Sequence, residues 1–163
     1  MSESDASFAD GAPLPASKIR LMAHSDDDLA IVSALMQDAV GKTSEIAWIP
    51  KKRIFAMVLN RFRWEDAESA RRDARPYQRI RCGLHVENVL SSQFRGFDAG
   101  KAQQAFAVLG LRFEPAGDGT GKVFIDCAGD ASFALSVEAL DVRMADMDTV
   151  WTTPTLPGHG DPA

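Results

Sequence analysis

The feature that most constrains this fold is a change of period at Gly41. Before it, apolar residues recur every three or four positions; after it they alternate from side to side almost to Arg143. The first stretch predicts one helix: Ser25 is a suitable N-cap, Asp26, Asp27 and Asp28 fill the first turn, and Leu29, Val32, Met36 and Val40, with Leu35 beside them, form an apolar face. Gly41 is its expected stop. A short strand, Ile19 to Met22, precedes it.

The alternating stretch predicts strands. Glu45–Ile49 is followed by a turn at Pro50-Lys51-Lys52 and by a long strand over Arg53–Trp64, apolar on both sides and therefore central. Glu65–Gln78 is a polar interruption that reads as either a short exposed helix or a loop. Further strands are expected at Arg79–Leu90, Gln93–Phe97, Ala105–Glu114, Lys122–Cys127 and Ser132–Arg143, the last bent or bulged near Ala139 and Leu140. The fold class is α+β: a mainly antiparallel sheet with one N-terminal helix. One domain over residues 18–151 is expected, with disordered or flexible tails over 1–17 and 152–163.

Two strand runs resemble each other. Ile46–Pro50 matches Leu111–Pro115 and Leu84–Glu87 matches Leu135–Glu138, which predicts repeated units over 44–97 and 105–147. Few identities carry the match, and coincidental alternation is the competing explanation.

Familiar chemistry is missing from the motifs. Gly117-Asp118-Gly119-Thr120-Gly121-Lys122 lacks the first glycine and the Ser or Thr of a phosphate loop and leads into a strand, so a hairpin turn is expected. His24, His85 and His159 are dispersed, and Asp26–Asp28 beside His24 serve a helix start better than a metal. Cys82 and Cys127 form no ligand pair and read as buried free thiols. No signal peptide or 18-residue apolar run is visible, so a cytoplasmic location away from any membrane is expected. No cofactor is indicated.

Charge distribution departs most from the average. Between Lys51 and Arg81 lie ten basic residues against four acids; the rest of the chain carries eight against 19. Strand parity places Arg61 and Arg63 on one face, and Arg79, Arg81 and His85 on one face of the next strand. With those faces aligned, guanidinium groups gather beside an imidazole, a surface for an anionic small molecule or an acidic protein segment. A solvated face neutralised by the acidic surplus is the competing reading. Nucleic acid is not expected as a partner, given the net charge of −5 and a basic-aromatic run, Asn60–Trp64, without the RNP1 glycines. Phe62 and Trp64 are expected in the core.

The runs Ile46-Ala47-Trp48-Ile49-Pro50-Lys51, Asn60-Arg61-Phe62-Arg63-Trp64-Glu65 and Arg81-Cys82-Gly83-Leu84-His85-Val86-Glu87 resemble an alphaproteobacterial family, domain of unknown function number 2948, over residues 18–152. The resemblance implies a bacterial cytoplasmic protein and supplies no catalytic residues. The leading expectation is thus a non-catalytic binding or regulatory protein. Its alternatives are a small enzyme built around His85, Glu87 and Arg81, and a homodimeric assembly protein joined through strand edges.

Overall fold

The computed structural model describes residues 18–98 and 100–157. The expected tail over 1–17, His159 and the end of the expected C-terminal tail lie outside the described residues. Strand β1 (Arg20–Ala23) leads into helix α1 (Asp26–Met36), whose N-cap is Ser25, its Oγ accepting the Asp28 backbone N–H at 3.2 Å. Leu29, Val32 and Met36 are buried as a stripe. The helix ends before Val40 and Gly41, earlier than the periodicity predicts. Asp38 takes a left-handed φ of 65°, donates its N–H to Val108 O at 2.7 Å, and Ala39 O accepts the Val108 N–H at 2.8 Å. Pairing with a distant strand thus replaces the last helical turn. Gly41 serves close packing instead, since a Cβ there would lie 2.6 Å from Leu59 and 2.7 Å from Phe106.

Among the described residues nine strands follow one antiparallel logic. The remaining ones are β2 (Val40–Ile49), β3 (Ile54–Phe62), β4 (Tyr77–Val86), β5 (Val89–Arg95), β6 (Ala105–Gly117), β7 (Thr120–Cys127), β8 (Ala131–Val137) and β9 (Val142–Thr153). A 3-10 turn, Pro50–Lys52, joins β2 to β3, and Arg53 closes it at φ 58°. Asp118 and Gly119, both at positive φ, make the two-residue turn between β6 and β7, as the glycine-rich segment predicts. The polar interruption resolves as helix α2 (Trp64–Arg72), acidic in its first turn and basic in its last.

Two expected strands are each two strands. Arg79–Leu90 divides at Glu87 and Asn88, where Asn88 turns at φ 59°, and Ser132–Arg143 divides between Val137 and Val142. The slip of alternation near Ala139 and Leu140 is therefore a change of place in the sheet. It is no bulge.

The sheet order is β1-β9-β4-β3-β2-β6-β7-β8-β5. Its core-facing side chains form one cluster that takes in both ends of the order, with Phe55 of β3 and Phe133 of β8 at 5.8 Å between ring centroids. The fold is α+β with a mostly antiparallel sheet. Among the described residues no helix is long and apolar enough to cross a membrane.

Candidate functional site

Arg61 ends the core-facing row of β3, after Phe55, Met57 and Leu59. It is fully buried. Its five N–H groups are all used: Nε and one Nη2 hydrogen donate to the two Asp146 oxygens at 2.8 Å each, the other Nη2 hydrogen and one on Nη1 go to Glu65 at 2.8 and 2.9 Å, and Nη1 also reaches Phe62 O at 3.2 Å. Asp146 in turn accepts the Ile19 N–H at 2.9 Å. Burial works against charge at Asp146 and Glu65, but the bonds from Arg61 outweigh it and hold both carboxyls below their ordinary values. Burial likewise opposes the Arg61 cation, and the two carboxylates overcome it, raising its pKa. This network ties β3, β9, α2 and the entry to β1 together; it leaves Arg61 no donor for a ligand.

Arg63, the residue before α2, is buried too. It donates to Gln78, and its guanidinium lies 3.3 Å from Glu65 and 3.9 Å from Asp66.

Arg79, Arg81 and His85 sit on the opposite side of the sheet. Arg61 is directly across from Ile80, a core residue, so the two sets of arginines point to different faces. The alternation is as expected, but the alignment of faces that would have joined all five is not met. Arg79 donates to Asn60 O at 3.1 Å with its guanidinium 5.8 Å from the Phe62 ring centre, and burial lowers its pKa against the opposing charge of Asp38. Arg81 pairs with Glu45 at 2.8 Å. Phe62 is core, as expected, packed edge-on against Trp64 with ring centroids at 4.6 Å.

His85 is exposed and lies across from Arg143 on β9. Beside it is a cavity of about 250 Å³ walled by Arg20, His85, Arg143 and Met147 over Gly83 and Ala145. Ladder pairing builds it: Arg20 opposes Ala145, which opposes Gly83. Arg143 is held by Asp141 at 3.0 and 3.1 Å, and His24 lies 3.5 Å from the same carboxylate. Burial raises the Asp141 pKa, but Arg143 and His24 reverse the effect and leave it low. Among the described residues Arg20 and His85 have no ion pair. Arg20 and Arg143 escape a reading of the middle third because they come from the first and last strands, and only the pairing of β1, β9 and β4 brings them to His85.

Catalytic geometry among His85, Glu87 and Arg81 is not assembled. Arg81 and His85 are four strand residues, about 13 Å, apart, and Glu87 follows the end of β4 with its N–H donated to Asp141 O at 2.9 Å. Among the described residues no three His, Cys, Asp or Glu side chains converge as metal ligands. Both cysteines are free and buried, and burial with a nearby carboxylate pushes each thiol up to about 12, away from a nucleophilic thiolate.

No curated protein and no solved structure matches the chain. The family described as protein of unknown function (DUF2948) matches residues 19–159. The chain, with its antiparallel sheet and buried arginine clasp, belongs to that family.

Proposed function

We propose that this is a non-catalytic binding protein of the cytoplasm, and that it takes an acidic segment of a partner protein along the outer face of β4 and β9. The carrying observation is the spacing of three arginines and a histidine. Arg81 and His85 succeed each other along β4 with Gly83 between, Arg143 stands opposite His85, and Arg20 lies one strand further out. Groups spread over about 13 Å suit an extended chain with acids at intervals better than one compact anion. Exposed Met22 and Met147 lie among them and suit apolar residues between those acids. The single contact of Arg81 with Glu45, both partly exposed, contributes roughly 0–1 kcal/mol, so a partner carboxylate can take over that guanidinium. The free buried thiols support a reducing compartment.

The test titrates the full chain with a peptide of alternating glutamate and leucine, and with its lysine–leucine counterpart as control. The acidic peptide is expected to bind in a salt-sensitive manner and to lose about tenfold in affinity in Arg20→Gln/Arg143→Gln. Equal binding of the two peptides, or indifference to the variants, overturns the reading.

We also propose that the domain is a duplicated four-strand unit. Support comes from the order β9-β4-β3-β2 beside β6-β7-β8-β5: outward from the β2–β6 seam, each half holds its own first three strands and then the fourth strand of the other unit. The matching runs fall on β2 with β6 and on β4 with β8. Superposing β2-β3-β4 on β6-β7-β8 in a crystal structure tests this. A rotation far from two-fold defeats it.

A further inference from the structure

A second outer face, on the other half of the sheet, has a different chemistry. Arg112, Phe124, Ala134 and Gln93 stand directly across from one another on β6, β7, β8 and β5. Three inter-strand steps make this row about 14 Å wide. Its middle is low because Ala134 and the neighbouring Ser132 are small, and the resulting groove holds about 680 Å³.

The state of each cation restricts what the groove can recognise. Arg112 has its edges occupied: Nε and Nη2 donate to Asp126 at 2.7 and 3.4 Å, and Nη1 donates to Glu114 at 2.6 Å. One face of the guanidinium rests on Phe124, 4.1 Å from the ring centre. A guanidinium fixed in this way has little left for forking a phosphate, but its outer face is a flat, cationic stacking surface. Lys122 and Arg95 are in the opposite condition. Both line the groove, and among the described residues neither has an ion pair or side-chain hydrogen bond. They keep their donors for an anion.

We infer that this groove binds a nucleoside phosphate, with the base stacked on the Arg112 guanidinium above Phe124 and the phosphate taken by Lys122 and Arg95. The low floor at Ala134 lies beside Phe124 and between Lys122 and Arg95, which flank the row from opposite sides, and leaves room there for the phosphate, with the Gln93 amide at the end of the row as a further donor. The same chemistry is present in a free nucleotide and at one unit of a single strand. The width of the row fits one base with one phosphate, and a chain of net charge −5 repels a polyanion, so the free nucleotide is favoured.

The experiment follows amide chemical shifts of the full chain during titration with AMP, adenosine, inorganic phosphate and a short oligo-dA strand. AMP is expected to shift residues of β6, β7, β8 and β5 around the groove and to bind more tightly than adenosine or phosphate alone. Arg95→Gln/Lys122→Gln should weaken AMP about tenfold or more while leaving the weak adenosine response. Arg112→Lys, which keeps the charge and removes the plane, should bring AMP down to the level of phosphate. Unchanged thermal midpoints establish that the variants are folded. The proposal is overturned if AMP gives no groove shifts at about 10 mM, if either variant binds AMP as the parent does, or if phosphate binds as well as AMP. Tighter binding of the strand than of AMP, lost in the same variants, overturns the free nucleotide in favour of single-stranded nucleic acid.

Discussion

Arg61 and Asp146, 85 positions apart, meet through two parallel hydrogen bonds of 2.8 Å with neither side chain exposed to solvent. Asp146 also receives the Ile19 N–H, and Ile19 O accepts the Asp146 N–H at 2.9 Å, so the pair anchors the first strand to the last. A guanidinium in this position is a structural part. Its energetic weight rests on leaving no donor or acceptor unmet.

Arg61→Ala is expected to destabilise the fold by about 3–5 kcal/mol, because two carboxylates are left without their partner. Arg61→Lys should recover little, since one ammonium cannot replace five donors in a planar fork. Urea unfolding followed by circular dichroism measures both.

Acid should unfold the protein through the same network. The ordinary values for Asp146 and Glu65 are 3.8 and 4.5, and both are lower in the folded state. Their contribution is therefore fully present above those ordinary values and is lost as pH falls through the lower folded ones. The urea midpoint should drop steeply below about pH 4. Asp146→Asn should make that drop shallower; an unchanged slope would assign it to other carboxylates.

The native thiols should be slow to alkylate. With Cys82 and Cys127 pushed up to about 12 and buried, iodoacetamide at about pH 8 should label them only after denaturant is added. Mass spectrometry counts the adducts.

Glycines separate packing from site. A Cβ at Gly121 would collide with Glu114 O and lie 2.7 Å from the Phe113 ring, so Gly121→Ala should cost about 1–3 kcal/mol. At Gly83 the nearest atoms are 3.7 and 3.9 Å away, in ordinary contact. Gly83→Ala should change stability by no more than about 0.5 kcal/mol, while raising the floor of the cavity beside His85 and weakening the acidic peptide. Thermal midpoints and the peptide titration distinguish the two effects.

Local chemistry made much of this legible. Ser25 with three following aspartates marked the helix start, Asp118-Gly119 marked a hairpin, and alternation assigned an inner and an outer side to β3 and β4. Asn88 carried a usable signal, because asparagine tolerates the left-handed turn that splits the expected strand. What stayed hidden depended on partners remote in sequence. Arg61 at the end of an apolar row reads like a surface arginine until β9 brings Asp146 to it, and Arg20 and Arg143 join His85 only when the first and last strands pair. Periodicity tells which way a side chain points. It says nothing about the neighbour across the ladder.

The crossed placement of β5 and β9 also bears on synthesis. On a ribosome, β5 emerges well before β8, its ladder partner, and β4 must wait for β9 to cover its free edge. Nascent chains halted ahead of Ala131 therefore leave β1 and β5 without ladder partners and the outer edges of β4 and β7 open, a state in which chaperone capture competes with aggregation. The native arrangement is completed only when β9, the last of these strands in chain order, pairs with β4 and β1.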